Sequence, residues 1–403
     1  MIHNYYQNAG GEDSVVENER QMLERYGHSV FMYTKSNQEI RTLKGKLKFL
    51  FSFLYSKEAY QEVKRLIAEN SIEIVHVHNT FPLITTSVYA AAYDAGVPVV
   101  QTLHNFRLVC PGALYMRAGK ICQECNQKGL RHAIKYGCYR NSKFQTAMAV
   151  LTQLNSRRGG MYDKVSVYIA LTEFNKQKFE AEFPWCRKKI YVKPNFIKSN
   201  PVPYDSKLQT EISEEYIYVG RLSEEKGIAL LLEAFEQLHQ VKICLIGTGP
   251  LANDVEKYID ERHIKNIRIL GSLTHEEVIK RLRHAKSLIL PSIWYEGFPM
   301  VIVEALSCGI PVIGSRLGNI QEVIRDNENG LLFDGGSADD LKEKIRLLES
   351  DQELYNNLKT GAQNTYLQSY TEEKNYNCLE EIYEIASKTP FDTLSKLNSN
   401  AFS

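Results

Sequence analysis

Short β-branched runs alternate along the chain with longer segments whose apolar residues recur every three or four positions. IEIVHVHN (72–79), VPVVQTLHN (97–105), VSVYIALT (165–172) and KIYVKPNF (189–196) read as strands. Strands spaced by helical stretches predict a parallel sheet with crossover helices. The rhythm restarts with EYIYVGRL (215–222), VKICLIGTG (241–249), IRILGSL (267–273), KSLILPS (286–292) and IPVIGSR (310–316), now separated by GIALLLEAFEQL and HEEVIKRLRHA. The pattern therefore predicts an α/β protein of two Rossmann-like domains in tandem, over residues 1–200 and 201–370, with a final helix in 371–390. A Pro-, Ser- and Asn-rich stretch at 197–212 is the expected linker. Ligands of open α/β sheets sit beyond the carboxyl ends of the strands, so the residues after each strand are the ones to inspect, and a cleft between the domains is the expected site.

The length of 403 residues suits two cores of roughly 200 residues each. One irregularity lies at the start, where only Met1 and Ile2 precede HNYYQNAGG. Almost no apolar residues remain for a strand ahead of that glycine pair, so the first strand is expected to be missing or short. The net charge of +1 conceals a split: residues 1–200 carry 28 Lys+Arg against 16 Asp+Glu, and residues 201–403 carry 21 against 32. A basic half suits an anionic membrane surface or simply a differently charged domain. RNA would also explain it, but no aromatic RNA-binding signature accompanies the charge, so no nucleic-acid partner is expected. The start lacks a secretory pattern, and no apolar run approaches the ~18 residues of a spanning helix, so a cytoplasmic location is expected.

The sharpest chemistry is in the second half. A strand ends at Gly220-Arg221, Lys226-Gly227 opens a helix, and EGFPMVIVE places Glu296 and Glu304 eight positions apart. Arg221 and Lys226 can neutralise a diphosphate, while Gly297 and the helix that begins near Pro299, just past Phe298, offer unpaired backbone amides to the same anion. Glu304 is expected two turns beyond Glu296 on one helix face, where a carboxylate needs hydrogen-bond donors such as ribose hydroxyls. Pairing with a buried Arg or Lys is the plainer alternative. Gly247 and Gly249 follow the strand KICLI and permit a tight turn at the ligand's edge.

In order and spacing, YVGRLSEEKGIALLLEAF, LIGTGP, LPSIWYEGFPMVIVEALSCGIPVIGS and ENGLLF resemble the retaining glycosyltransferases of family 4, the two-domain GT-B enzymes also called glycosyl transferases group 1. The resemblance spans nearly the whole chain. It implies that Glu296 and Glu304 form the family's E-x7-E pair and that Arg221 and Lys226 clamp the donor diphosphate. Gly10 and Gly11 would form the glycine loop facing the reacting sugar, and His104 in LHNFR would be the active-site histidine. It further implies that the last helix crosses back onto the first domain. Two departures stand out: Asn319 replaces a second glycine, and Ile320-Gln321 replaces a common proline step. The HNYYQ-type start, with Glu12-Asp13 after the glycines, is similar to enzymes of bacterial surface-polysaccharide assembly (capsule, exopolysaccharide or O-antigen).

The expected activity is hexosyl transfer with retention from a nucleotide-diphosphate sugar to a glycan or lipid-linked acceptor. No D-x-D signature is present, so no metal or other cofactor is expected in catalysis; preorganised cations and amides would stabilise the leaving diphosphate instead. A GT-B nucleotide-sugar epimerase, which needs no acceptor, and a non-catalytic sugar-nucleotide binder are the alternatives. A dinucleotide oxidoreductase is disfavoured because neither half opens with G-x-G-x-x-G.

Two further features lie in an insertion at about 107–142 and upstream of it. Cys110, Cys122, Cys125 and Cys138 include a C-x2-C knuckle, a candidate structural zinc site with His132 as a spare ligand; irregular outer spacings favour simple packing instead. RTLKGKLKFLFSFLYSKEAY (41–60) joins cations to a dense aromatic and leucine face. It reads as an interfacial helix for a peripheral position on the inner face of the plasma membrane; the alternative is a core helix with a solvated basic edge.

Overall fold

A computed structural model describes residues 1–7, 10–198 and 215–389, and the expected linker lies outside these residues from position 199 onward. The chain forms two units. One comprises Met1–Ala113, Gln123–Asn195 and the chain from Glu373; the other comprises Leu114–Cys122 and Phe196–Glu372.

In the first unit the strands are β1 (Ile2–Tyr5), β2 (Tyr33–Ser36), β3 (Val75–Asn79) and β4 (Val99–Leu103). A short antiparallel hairpin, β5 (Met116–Arg117) and β6 (Lys120–Ile121), follows and groups with the second unit. Strands β7 (Val167–Ala170) and β8 (Ile190–Val192) complete a six-stranded parallel sheet of order β2-β1-β3-β4-β7-β8. The first strand is present but short, as the alternative of the expectation had it: the four residues of β1 pair in parallel with both β2 and β3. Its buried polar residues have side-chain partners: His3 Nε2 lies 2.8 Å from Asp13 Oδ1, and Asn4 Nδ2 donates to Asn37 Oδ1 at 2.8 Å. Buried polar groups are tolerated when they are paired in this way.

The second unit holds β9 (Glu215–Val219), β10 (Lys242–Ile246), β11 (Ile267–Gly271), β12 (Leu288–Leu290), β13 (Val312–Ser315) and β14 (Gly330–Phe333). All pair in parallel in the order β11-β10-β9-β12-β13-β14, so the strand order reverses between β9 and β12. Alternation along β9 feeds two cores. Tyr216 and Tyr218 pack with Leu231, Phe235 and Leu245, while Ile217 faces Ile246, Leu290, Ile302 and Val312. A sheet covered by helices on both faces requires this near-continuous apolar composition.

Two helices bear on function. The C-terminal helix Glu372–Lys388 packs on the first unit, where the Asn375 Nδ2 donates to the Pro194 carbonyl at 2.6 Å. The helix Leu43–Ser52 buries none of its side chains; Leu43, Leu47, Leu50 and Phe51 are 77%, 52%, 50% and 87% exposed. Spaced i, i+4, i+7 and i+8, these residues form one outward apolar stripe, with Lys44, Lys46 and Lys48 exposed beside it. Among the described residues no helix is long and apolar enough to cross a membrane.

Candidate functional site

In an open sheet of this order the crevice at the reversal point receives the ligand, here the carboxyl ends of β9 and β12. Gly220 and Arg221 leave β9, and the turn is held by the Tyr218 hydroxyl donating to the Arg221 carbonyl at 2.8 Å. A 3-10 turn, Glu224–Lys226, then delivers Lys226. Gly227 follows with φ +72°, where a Cβ would collide with the Pro291 carbonyl, so only glycine lets the new helix start this close to β12. The Ile293 N–H donates to the Glu225 carbonyl at 3.0 Å and ties the two loops together.

That tie sets the central contact of the site. Lys226 Nζ donates to Glu296 Oε1 at 2.7 Å and to Oε2 at 2.9 Å, and Ser292 Oγ donates to Oε1 at 2.6 Å. Glu296 is buried, 4% exposed, while the Lys226 side chain keeps 21% of its surface. An ammonium has three donors; two are spent on Glu296, and the partly open side leaves the third for an incoming anion. Arg221 is exposed at the same strand end.

Asn319, the departure from the family's glycine, is part of this assembly. It is fully buried after β13; its Nδ2 donates to the carbonyls of Glu296 and Gly297, the latter at 2.7 Å. Ser315 Oγ adds a bond to the Ser292 carbonyl at 2.7 Å. Sequence reading missed Ser292 and Asn319 as site residues. The available signal, for Asn319 alone, was a hydrogen-bonding side chain standing where many relatives carry glycine.

The structure corrects the geometry expected for the two glutamates. The helix begins only at Met300, with Pro299 as its cap, so Glu296 lies in the preceding loop and shares no helix face with Glu304. Glu304 is partly exposed, and its carboxylate pairs with neither Arg nor Lys but with His275, whose Nε2 lies 3.1 Å from Glu304 Oε1. His275 is placed there by a capping box: Thr274 Oγ1 accepts from the Glu277 N–H, and Glu277 accepts from the Thr274 N–H at 2.8 Å. Hydrogen bonding to Glu304 raises the pKa of this histidine. Gly247, with φ +138°, and Gly249 close the edge of the site, where a side chain would strike the carbonyls of Gly220 and Leu222 respectively.

In the first unit, Gly10 caps the helix Gly11–Arg25, and its N–H donates to Asp13 Oδ2 at 3.1 Å. His104 follows β4 and is partly exposed. Asn105 Nδ2 reaches Glu12 Oε2 at 3.4 Å, so the histidine segment and the glycine segment meet at one end of the sheet. Burial lifts the Glu12 carboxyl to a pKa of about 8, with the Tyr6 hydroxyl donating to Oε2 at 3.0 Å. His104 Nε2 lies 2.9 Å from His78 Nδ1.

The candidate zinc site is not supported. The four insertion cysteines do not bring three ligand atoms together; Cys125 and Cys138 instead pack against Leu130, Ala133 and Val150. Simple packing, the reading that the irregular spacings favoured, thus holds for Cys125 and Cys138 in place of the candidate zinc site, and Cys122 belongs to the other unit. Among the described residues only Glu19, His76 and His78 cluster closely enough to hold an ion. There the buried Lys193 Nζ already sits 2.9 Å from Glu19 Oε2, and a second cation beside that ammonium would be strongly repelled.

Two Rossmann-like domains, with an anion-suited reversal point in the second, make this a protein of the GT-B class. Residues 9–200 match the family described as Glycosyltransferase Family 4 and residues 205–365 match Glycosyl transferases group 1. The chain belongs to this glycosyltransferase family. Two uncharacterized glycosyltransferases of Methanocaldococcus jannaschii are similar: one is 32% identical over 42% of this chain and 47% of its own length, the other 24% identical over 84% and 82%. A putative teichuronic acid biosynthesis glycosyltransferase of Bacillus subtilis is 31% identical over 43% of this chain and 42% of its own. The chain thus spans about half the length of two of these three relatives. Among solved structures, Anabaena HepE in complex with UDP shares the fold, with a TM-score of 0.63, 18% identity and coverage of 95% of this chain and 99% of that one.

Proposed function

We propose that the protein transfers a hexose from a nucleotide-diphosphate sugar to a glycan or lipid-linked acceptor, with retention and without a metal, in surface-polysaccharide assembly. The observation that carries this reading is Lys226 held on the buried Glu296 at the strand-order reversal of the second unit, with Arg221 beside it. A cation placed in advance stabilises the leaving diphosphate without reorganising as charge builds, which is the role a metal fills elsewhere. Glu304 then takes the ribose hydroxyls, and Gly247, Gly249, Gly297, Phe298 and Pro299 line the nucleotide. His104 and the Gly10-Gly11 turn serve the transferred sugar. The acceptor attacks from the face the diphosphate leaves, and a phosphate oxygen receives its proton. The relative named for teichuronic acid biosynthesis and the UDP complex of the HepE neighbour support the polysaccharide and nucleotide parts of the reading.

Thermal stabilisation by UDP, GDP, ADP and their sugars tests the donor site. One nucleotide at 100 times its Kd should add about 2.7 kcal/mol of stability. The shift is expected to vanish in Glu304→Ala, and the product's anomeric configuration by NMR should match the donor's. No shift with any nucleotide would sink the assignment.

The membrane partner rests on the exposed stripe of the Leu43–Ser52 helix. Covering a Leu or Phe side chain contributes about 1.5–3 kcal/mol, and each lysine near an anionic surface about 1 kcal/mol, so contact supplies affinity and charge supplies preference. Flotation should recover the protein with phosphatidylglycerol vesicles more than with phosphatidylcholine vesicles. Leu47→Glu with Phe51→Glu should abolish recovery; equal recovery of this variant would move the contact elsewhere.

A further inference from the structure

Beneath His104 lies a line of buried ionisable groups that the proposed transfer does not itself use. Glu19, on the helix Gly11–Arg25, is 1% exposed. One of its oxygens, Oε2, takes the Lys193 ammonium at 2.9 Å, and Lys193 is held in turn by Asn375 Oδ1 of the C-terminal helix at 3.0 Å. The other, Oε1, lies 3.1 Å from His76 Nδ1 and 3.2 Å from His78 Nε2. His76 is also held at both nitrogens, by the Tyr383 hydroxyl at 2.7 Å and by Thr102 Oγ1 at 2.8 Å. His78 stacks between His76 and His104, with ring centroids 4.4 and 5.2 Å away.

The charge state of this line follows from its surroundings. Burial alone would raise the Glu19 pKa, but Lys193, His76 and His78 outweigh it and hold the carboxyl well below its ordinary value. Burial, then the neighbouring His76, pushes His78 down to about 3, and burial with His78 beside it keeps His104 well below the usual imidazole value. Both rings are neutral near pH 7, and each therefore carries one N–H. A carboxylate only accepts. A bare nitrogen lone pair 3.2 Å from a buried anion is repelled, whereas an N–H dipole is attracted, even though the approach is too oblique for an aligned hydrogen bond.

We propose that Glu19 is a positioning residue that sets the tautomer of His104 through His78, so that His104 presents a bare Nδ1 lone pair to a hydroxyl of the bound sugar. With the anion facing Nε2, His78 carries its proton there and offers Nδ1 as an acceptor. His104 must then donate from Nε2 across the 2.9 Å contact, leaving Nδ1 without a proton. A hydroxyl then donates to His104, which fixes the direction of that hydrogen bond and the orientation of the sugar. The C-terminal helix, through Asn375 and Tyr383, completes the shell that keeps the carboxylate and His76 in place. The role of Nδ1 toward sugar rests on the transferase reading; the tautomer does not.

The test is a long-range 15N–1H correlation spectrum of the full chain labelled at histidine, with His104 assigned by its loss in His104→Gln. At pH 7 His104 should appear neutral, with the proton on Nε2. Replacing the buried charge pair together, Glu19→Gln with Lys193→Met, keeps the interior neutral and should move His104 toward the Nδ1–H form; His78→Phe, which breaks the line at its middle, should do the same. In both variants kcat should fall about tenfold or more while KM for the nucleotide sugar stays within a factor of about two. An Nδ1–H or doubly protonated His104 in the unaltered protein, or an unchanged tautomer in both variants, overturns the proposal. The spectrum needs neither donor nor acceptor, so the expected tautomer in a protein that transfers no sugar would count against the transferase reading alone.

Discussion

Lys226→Ala is expected to lower sugar transfer by about 10²–10³-fold, the effect of removing one preorganised charge-stabilising donor from a catalytic site. In the proposed reading the ammonium meets the diphosphate; it also neutralises Glu296, which is 4% exposed and, once the lysine is gone, keeps Ser292 Oγ as its side-chain donor. Breaking a buried pair by removing one partner costs about 3–5 kcal/mol; the partly open Lys226 side chain puts this case toward the lower end. Activity and folding must therefore be read separately. Transfer of radiolabelled sugar measures the first, and circular-dichroism melting measures the second. Lys226→Arg keeps the charge but not the compact geometry, and should be intermediate. A folded Lys226→Ala that transfers within about tenfold of the parent would remove Lys226 from the donor clamp.

The second large effect is expected from Lys193→Met. The substitution preserves length while stripping the counter-charge from Glu19, and both side chains are 1% exposed. Solvent cannot screen the carboxylate left behind, so the first unit should lose about 3–5 kcal/mol, a large part of the ~5–15 kcal/mol that holds a domain folded. Glu19→Gln with Lys193→Met should recover most of the loss, because the penalty comes from an unpaired buried charge rather than from the absence of a pair. The two tryptophans fall one in each unit, at 185 and 294, so urea unfolding of a Trp294→Phe background reports the first unit through Trp185. A single variant within about 1 kcal/mol of its parent would mean that Lys193 is not the ion's main partner.

The strands that were legible in the sequence are those with unbroken apolar runs, such as KICLI and the core of VSVYIALT, because burial on both faces leaves little room for polar residues. The first strand was hidden for the opposite reason. His3 and Asn4 read as loop residues until Asp13 and Asn37 are seen to pair with them. Strand β3 was legible despite its polar residues, because Val75 and Val77 alternate with His76 and His78. That period of two was visible; that the histidine face is closed by Glu19 and by a helix some 300 residues later was not. The E-x7-E spacing was legible as a motif but misleading as geometry, because Pro299 and the late start of the helix place Glu296 in a loop.

What the sequence by itself determined is the architecture and the family: two α/β rhythms, their order, and a series of glycines and charges at strand ends. These are local properties, set by side-chain periodicity and by the conformations each residue type permits within a few positions. Tertiary structure decided which polar groups meet. It seated Lys226 on Glu296, set His275 against Glu304 and aligned Glu19 with His78 and His104. It also turned the apolar stripe of residues 43–51 outward and packed Cys125 and Cys138 into a small apolar cluster instead of onto a metal. Such pairings depend on distances of a few ångströms between residues tens to hundreds of positions apart, and on the exclusion of water around them. Neither is encoded in the spacing of residues along the chain.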